Sequence, residues 1–144
     1  MVKVLLPVDG SKHSLAATRQ VIRHAAWHKE PIEVELVTVH GHIPRVAGLS
    51  RAVLTAAMVK QHYQDEGEKA LAPSRRLLAK AHVRHTEHVL VGDVAPTIVD
   101  HATQTGCDMI CMGTRGMTAM SGLVMGSVAT RVLHLARVPV LLVK

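Results

Sequence analysis

Apolar positions along the chain follow two alternating rhythms. Val2 to Val8 (VKVLLPV) is nearly continuous and rich in β-branched residues, the pattern of a strand buried on both faces. Asp9-Gly10-Ser11 interrupts it, with Ser11 placed to cap a helix over Lys12 to Lys29. In that helix Leu15, Ile22, Ala25 and Ala26 share one face, and His24 and His28 lie one turn apart on the other. Glu30-Pro31 ends it. Ile32 to Val39 (IEVELVTV) predicts a second strand, with Glu33 and Glu35 on one face at its start. Gly41 to Lys80 reads as mostly helical yet too polar for core, and Pro73 within it predicts a kink or break, because proline removes a hydrogen bond and crowds the preceding turn. Val83 to Val91 predicts a third strand, Gly92-Asp93 a turn, and Ala95 to Thr105 a short helix with Pro96 in its first turn. Asp108 to Met112 predicts a fourth strand, Ser127 to Arg137 the last helix and Val138 to Val143 the last strand.

This alternation predicts an α/β domain with a parallel, doubly wound sheet and helices on both faces. Ligands in such sheets bind beyond the carboxyl ends of the strands, where strand order reverses. Asp9, Val39, Gly92 and Gly113 all fall at such ends.

The stretch Met112 to Val128 (MGTRGMTAMSGLVMGSV) carries the candidate chemistry. Gly113, Gly116 and Gly126 frame a loop whose one charge is Arg115, and Ser127 follows the last glycine. A strand, a glycine loop and a helix N-terminus bring unpaired backbone N–H groups around one point, where the helix dipole adds positive potential and an anion is attracted. Each residue also has a plainer role. Gly126-Ser127 could be a helix start with Ser127 as N-cap, Asp9 could cap the first helix, and Arg115 could pair with phosphate or be a solvated cation. A side chain added at Gly126 is expected to enter the phosphate space. Replacement of Asp9 by Ala is expected to weaken ligand binding with little effect on folding.

Composition narrows the function. The chain has 144 residues, 48% hydrophobic and 19% charged, which suits one globular domain with an aliphatic core, since there is no Phe, one Trp and one Tyr. The formal charge of +6 attracts polyanions in general, but the aromatic residues that stack on bases are missing, so no nucleic-acid partner is expected. No apolar run has the length of a membrane span, and Met1 leads straight into a strand without a signal-peptide pattern. Cys107 and Cys111 form no disulfide framework, and a reducing cytoplasm is the expected location. The 11 histidines form loose pairs (His24 with His28, His40 with His42, His85 with His88), and no Cys or carboxylate converges on them in a recognised order, so no metal is expected. GxxxxGK[ST] is absent, GxGxxG does not follow the first strand, and His40-Gly41-His42 has the wrong spacing for a nucleotidyltransferase motif.

With these residues in view, the chain closely resembles the universal stress protein family over residues 1–144, as a single domain. The nucleotide-binding members carry a glycine, two residues, a glycine, nine residues, then glycine and Ser or Thr. Here that reads Gly113, Thr114-Arg115, Gly116, Met117 to Met125, Gly126 and Ser127. Pro7-Val8-Asp9-Gly10-Ser11 matches the family's first strand and turn, and Gly92-Asp93 its third. The resemblance implies a Rossmann-like fold of the adenine nucleotide alpha hydrolase type, with strand order 3-2-1-4-5. It implies ATP (or AMP or ADP) as ligand, with Mg or Mn bridging the phosphates as an option. Asp9 would then bind the nucleoside, and Val8, Val39 and Met112 would wall the adenine. Gly113 and Gly116 would line ribose and phosphates, and Gly126, Ser127 and Val128 would meet phosphate. The last strand, Val138 to Val143, is apolar, and Pro139 confines it to a sheet edge that needs cover. The family's cover is the same strand of a second subunit.

The expectation is a dimeric, cytoplasmic, ATP-binding regulator of stress response. With no carboxylate in the glycine loop to act as base, hydrolysis should be slow or absent. The alternative is a nucleotide-free dimeric adaptor of the same fold. A nucleotide-dependent transferase ranks behind both.

Overall fold

The computed structural model describes residues 1–42, 55–115 and 125–144. Five strands and four helices alternate along them: β1 (Val2–Pro7), α1 (Lys12–Trp27), β2 (Ile32–His40), α2 (Ala56–Lys80), β3 (Arg84–Val91), α3 (Val94–Gln104), β4 (Met109–Gly113), α4 (Ser127–Leu135) and β5 (Val140–Val143). The strands form one sheet in the order β3-β2-β1-β4-β5, every pair parallel. This is the order that the family resemblance implies, and β5 lies at an edge.

Strand alternation sends successive side chains of β1 and β2 to opposite layers. Val4, Leu6, Val34 and Leu36 pack with Ala17 and Val21 of α1 and Leu71 and Leu78 of α2. Leu5 and Val37 pack on the other face with Ile98 and Val99 of α3 and Val132 of α4. Both layers are aliphatic, as the composition requires.

Three expectations need correction. In α1 the fully buried positions are Ser14, Ala17, Thr18 and Val21, while Ile22 and Ala25 reach the core only partly and Ala26 is exposed. The inward face includes two hydroxyl residues, which the apolar pattern alone passes over. Thr18 Oγ1 donates to the Ser14 carbonyl at 2.8 Å and lies 2.8 Å from Ser74 Oγ of α2, so the hydroxyls are satisfied inside the helix pair. Second, the chain does not break at Pro73, because α2 is continuous from Ala56 to Lys80. Third, α2 is not wholly peripheral, because Gly67, Ala70, Leu71, Ser74 and Leu78 form a buried stripe along a polar helix. The early part of the Gly41 to Lys80 insert, residues 43–54, lies outside the described residues.

Candidate functional site

The sheet's switch point lies between β1 and β4, where the chain turns from building one edge to building the other. A cavity of about 790 Å³ opens there at the carboxyl ends of β1, β2 and β4. That volume lies within the roughly 300–1,000 Å³ of ordinary small-ligand sites. Pro7, Val8 and Asp9 come to it from β1 and its turn, Val39 from β2, and Met112, Gly113 and Arg115 from β4 and the start of its loop. Gly126, Ser127 and Val128 come from the start of α4. These ten are all the proposed site residues that the structure describes. Gly116 lies outside the described residues, as do Met117 and Met120.

The N-terminus of α4 is left without a side-chain cap. Gly126 is the N-cap (φ −61°, ψ 153°) and has no side chain to bond the first-turn amides. Ser127 is therefore the first residue inside the helix, and the reading of it as N-cap is corrected. Thr130 Oγ1 donates to the Gly126 carbonyl at 3.0 Å, and Gly126 N donates to the Thr114 carbonyl at 2.7 Å, pinning the helix start to the end of β4.

Two glycines also have a structural role. A Cβ on Gly126 would face the Thr114 carbonyl oxygen at 3.1 Å and Arg115 Cα at 3.3 Å, so a side chain would press on the loop backbone and not simply fill the anion's space. A Cβ on Gly113 would lie 2.9 Å from the His13 carbonyl oxygen. Gly113 is needed to let α1 approach β4, whatever the cavity holds.

Asp9 also has structural work. Its Oδ1 accepts from Ser11 N at 2.9 Å and from Ser14 Oγ at 2.7 Å, while its own N–H donates to Ser14 Oγ at 3.0 Å. Ser11 caps α1 as its position predicts, accepting from Ser14 N at 3.3 Å. Asp9 thus locks the β1–α1 turn, with Gly10 at φ +82° supplying the left-handed bend. Replacing it should disturb folding more than the sequence implied.

The cavity includes groups that sequence reasoning missed. Glu66 and Lys69 enter from α2, with Lys69 Nζ 3.0 Å from Glu66 Oε1, and His40 enters from the end of β2. Partial burial lowers the His40 pKa below the ordinary histidine value, with nearby Glu66 opposing that and His62 adding to it. The imidazole is therefore mostly neutral at pH 7 and can accept a proton. A polar helix with an apolar stripe at Gly67, Ala70 and Leu71 would have signalled that α2 packs here. Near the cavity Asp93, the N-cap of α3, takes a two-pronged bond from Arg131 of α4 at 3.0 and 3.1 Å, which ties the helices flanking the cavity together.

Residues 1–144 match the universal stress protein family throughout. The chain belongs to that family. Among curated relatives it is 33% identical to the universal stress protein MJ0531 of Methanocaldococcus jannaschii, over 99% of this chain and 81% of that one. Among solved structures, MJ0577 of the same organism superposes with a TM-score of 0.80 at 24% identity, covering 99% of this chain and 95% of that one. The universal stress protein of Archaeoglobus fulgidus, solved in complex with dAMP, superposes with a TM-score of 0.65 at 23% identity over 100% of this chain and 98% of that one. An Arabidopsis thaliana family protein, solved with AMP bound, gives 0.67 at 14% identity over 100% and 92%. For this universal stress protein domain these likenesses establish the fold. Among the described residues no helix is long and apolar enough to cross a membrane.

Proposed function

We propose that this universal stress protein binds an adenine nucleotide, ATP foremost, in the cavity at the switch point, and acts as a dimeric cytoplasmic regulator of stress response. One observation carries the reading: a cavity of nucleotide size has aliphatic walls at one side and the open N-terminus of α4 at another. Val8, Val39 and Met112 supply an apolar slot suited to a base, and Ser127 and Val128 present first-turn amides suited to phosphate. The dAMP and AMP complexes of the two relatives support the same ligand class. Arg115 and Lys69 border the cavity as cations able to meet phosphate charge.

The carboxylates at hand do not form a ready divalent-metal cage, since Asp9 is engaged by Ser11 and Ser14 and Glu66 by Lys69. Mg or Mn, if it accompanies ATP, would then lean mainly on the phosphates. Asp9 and Glu66 reach the cavity held in other bonds, which supports slow or no hydrolysis through a carboxylate base, while His40 is a group there able to take a proton. The edge strand β5 is half-buried and proposed to pair with a second copy, and sedimentation showing only monomer would overturn that.

Calorimetric titration with ATP and AMP tests the site. Saturable binding of one nucleotide, competed by the other, supports it. No binding of either nucleotide, and none recovered from protein purified without added nucleotide, would leave the nucleotide-free adaptor as the better reading.

A further inference from the structure

A second cluster of chemistry lies away from the cavity, on the sheet face covered by α3. Glu33 and Glu35 point to that face from β2, and both are buried. Glu35 sits five residues before His40, which on a strand is about 16 Å from the cavity end of β2. Its Oε2 is 2.7 Å from His88 Nε2 of β3 and 3.8 Å from His101 Nε2 of α3. The ligand atoms of these three residues all lie within 4.8 Å of one another. The two imidazole rings stand 4.6 Å apart between centroids. The sequence expectation that no carboxylate converges on the histidines is therefore corrected. His85 and His88 were paired by proximity in sequence, whereas the fold pairs His88 with His101.

We propose that Glu35, His88 and His101 form a site for a divalent transition-metal cation of the zinc class, with Glu35 Oε2 and the two Nε2 atoms as ligands and water completing the set. Two imidazole nitrogens and one carboxylate oxygen, with an open fourth position, suit zinc and exclude the oxygen-seeking Mg and Ca. Zinc bonds of about 2.0–2.1 Å in a tetrahedron place ligand atoms roughly 3.3 Å apart. The two carboxylate-to-imidazole distances, 2.7 and 3.8 Å, bracket that separation, and the two ring nitrogens lie within 4.8 Å of each other, so side-chain rotation would close the set.

Two further observations point the same way. His101 Nε2 is shielded from solvent and has no hydrogen-bond partner among the described residues. This buried nitrogen faces Glu35 Oε2 from beyond hydrogen-bond distance, and a cation between the two would satisfy it in the tautomer whose Nε2 carries no proton. Lys3 Nζ holds the other Glu35 oxygen, Oε1, at 3.2 Å, and is itself fixed by the Thr105 carbonyl at 3.2 Å. That contact orients the carboxylate and leaves Oε2 turned toward the imidazoles, the outer-shell role that partners of metal ligands play. His88 is about one-third exposed and gives the cation a way in. A cation there would tie the edge strand β3 through β2 to α3.

The test uses the full chain, stripped with a chelator and titrated with zinc chloride by calorimetry, with cobalt(II) absorption as an independent readout of coordination. The expected result is one zinc per chain and tetrahedral cobalt bands. His88→Ala and His101→Ala should each weaken zinc binding by more than about 100-fold, since even outer-shell partners are worth about 10- to 100-fold. The double variant His24→Ala/His28→Ala, at the C-terminal end of α1, should bind like the parent. Should His101→Ala fail to fold by circular dichroism, His88→Ala, on the sheet edge, still decides. No stoichiometric binding, or equal affinity in His88→Ala, would reduce the cluster to a hydrogen-bonded His–Glu pair and overturn the proposal.

Discussion

Gly113 belongs to the spaced glycine signature, yet its close contact is with the protein itself. A methyl group there would lie 2.9 Å from the His13 carbonyl oxygen, 3.0 Å from the His13 carbonyl carbon and 3.0 Å from His13 Cβ. Two of these are backbone atoms of the first turn of α1 and cannot swing aside. Ordinary carbon contacts are about 3.5–4.0 Å, so helix and strand must separate by roughly 0.5–1 Å. Overpacking of this kind costs about 1–3 kcal/mol. At about 2–4 °C per kcal/mol for a domain of this size, Gly113→Ala should lower Tm by about 2–12 °C. The assay is thermal unfolding by circular dichroism without nucleotide, beside two other glycines. Among the described residues nothing lies within 4 Å of a Cβ on Gly106, but its φ is +66°, so Gly106→Ala should lose about 1–2 kcal/mol through the backbone alone. Among the described residues nothing lies within 4 Å of a Cβ on Gly41, and its φ is not positive, so Gly41→Ala should be neutral or stabilising by up to about 1 kcal/mol. A Gly113→Ala protein that melts with the parent would refute the claim that α1 is seated on β4 at this point.

Three more outcomes are expected. Asp9→Ala should lose about 1–3 kcal/mol without ligand, because Ser14 is buried and forfeits its acceptor; a double-mutant cycle with Ser14→Ala showing no coupling would contradict this. Burial pushes the Cys111 thiol up to about 12 and raises Cys107 as well, so both should resist a thiol reagent at pH 8 in the folded protein and react on unfolding; rapid labelling of folded protein would refute it. His40 has a depressed pKa when folded, so the unfolded chain takes up its proton first as pH falls. Its contribution is present above the ordinary histidine value and declines as pH drops toward the folded one, against Glu66 and His62 facing it. Denaturant midpoints measured from pH 7.5 to 5.5 should fall less steeply in His40→Asn, and an identical slope would show that His40 is not the group responsible.

Strand and helix order, the parallel sheet and the place of the cavity were all legible along the chain. Continuous apolar runs broken by glycine and aspartate turns allow few packings, and right-handed crossovers in a parallel sheet put the strand-to-helix loops at one end. All ten described site residues proposed from the glycine loop and strand ends line one cavity. Local pattern could not say which partner a residue meets across the fold. That Gly113 abuts His13, that Asp9 is bonded to Ser14, and that Lys69 and His40 border the cavity depend on contacts between segments far apart in sequence. Glu35, His88 and His101 show the same limit: three elements meet there, and no spacing in one of them foretells the distance between their ring and carboxylate atoms. Periodicity is a property of the chain, whereas the geometry of a site is set only when the sheet is assembled and its helices are laid down.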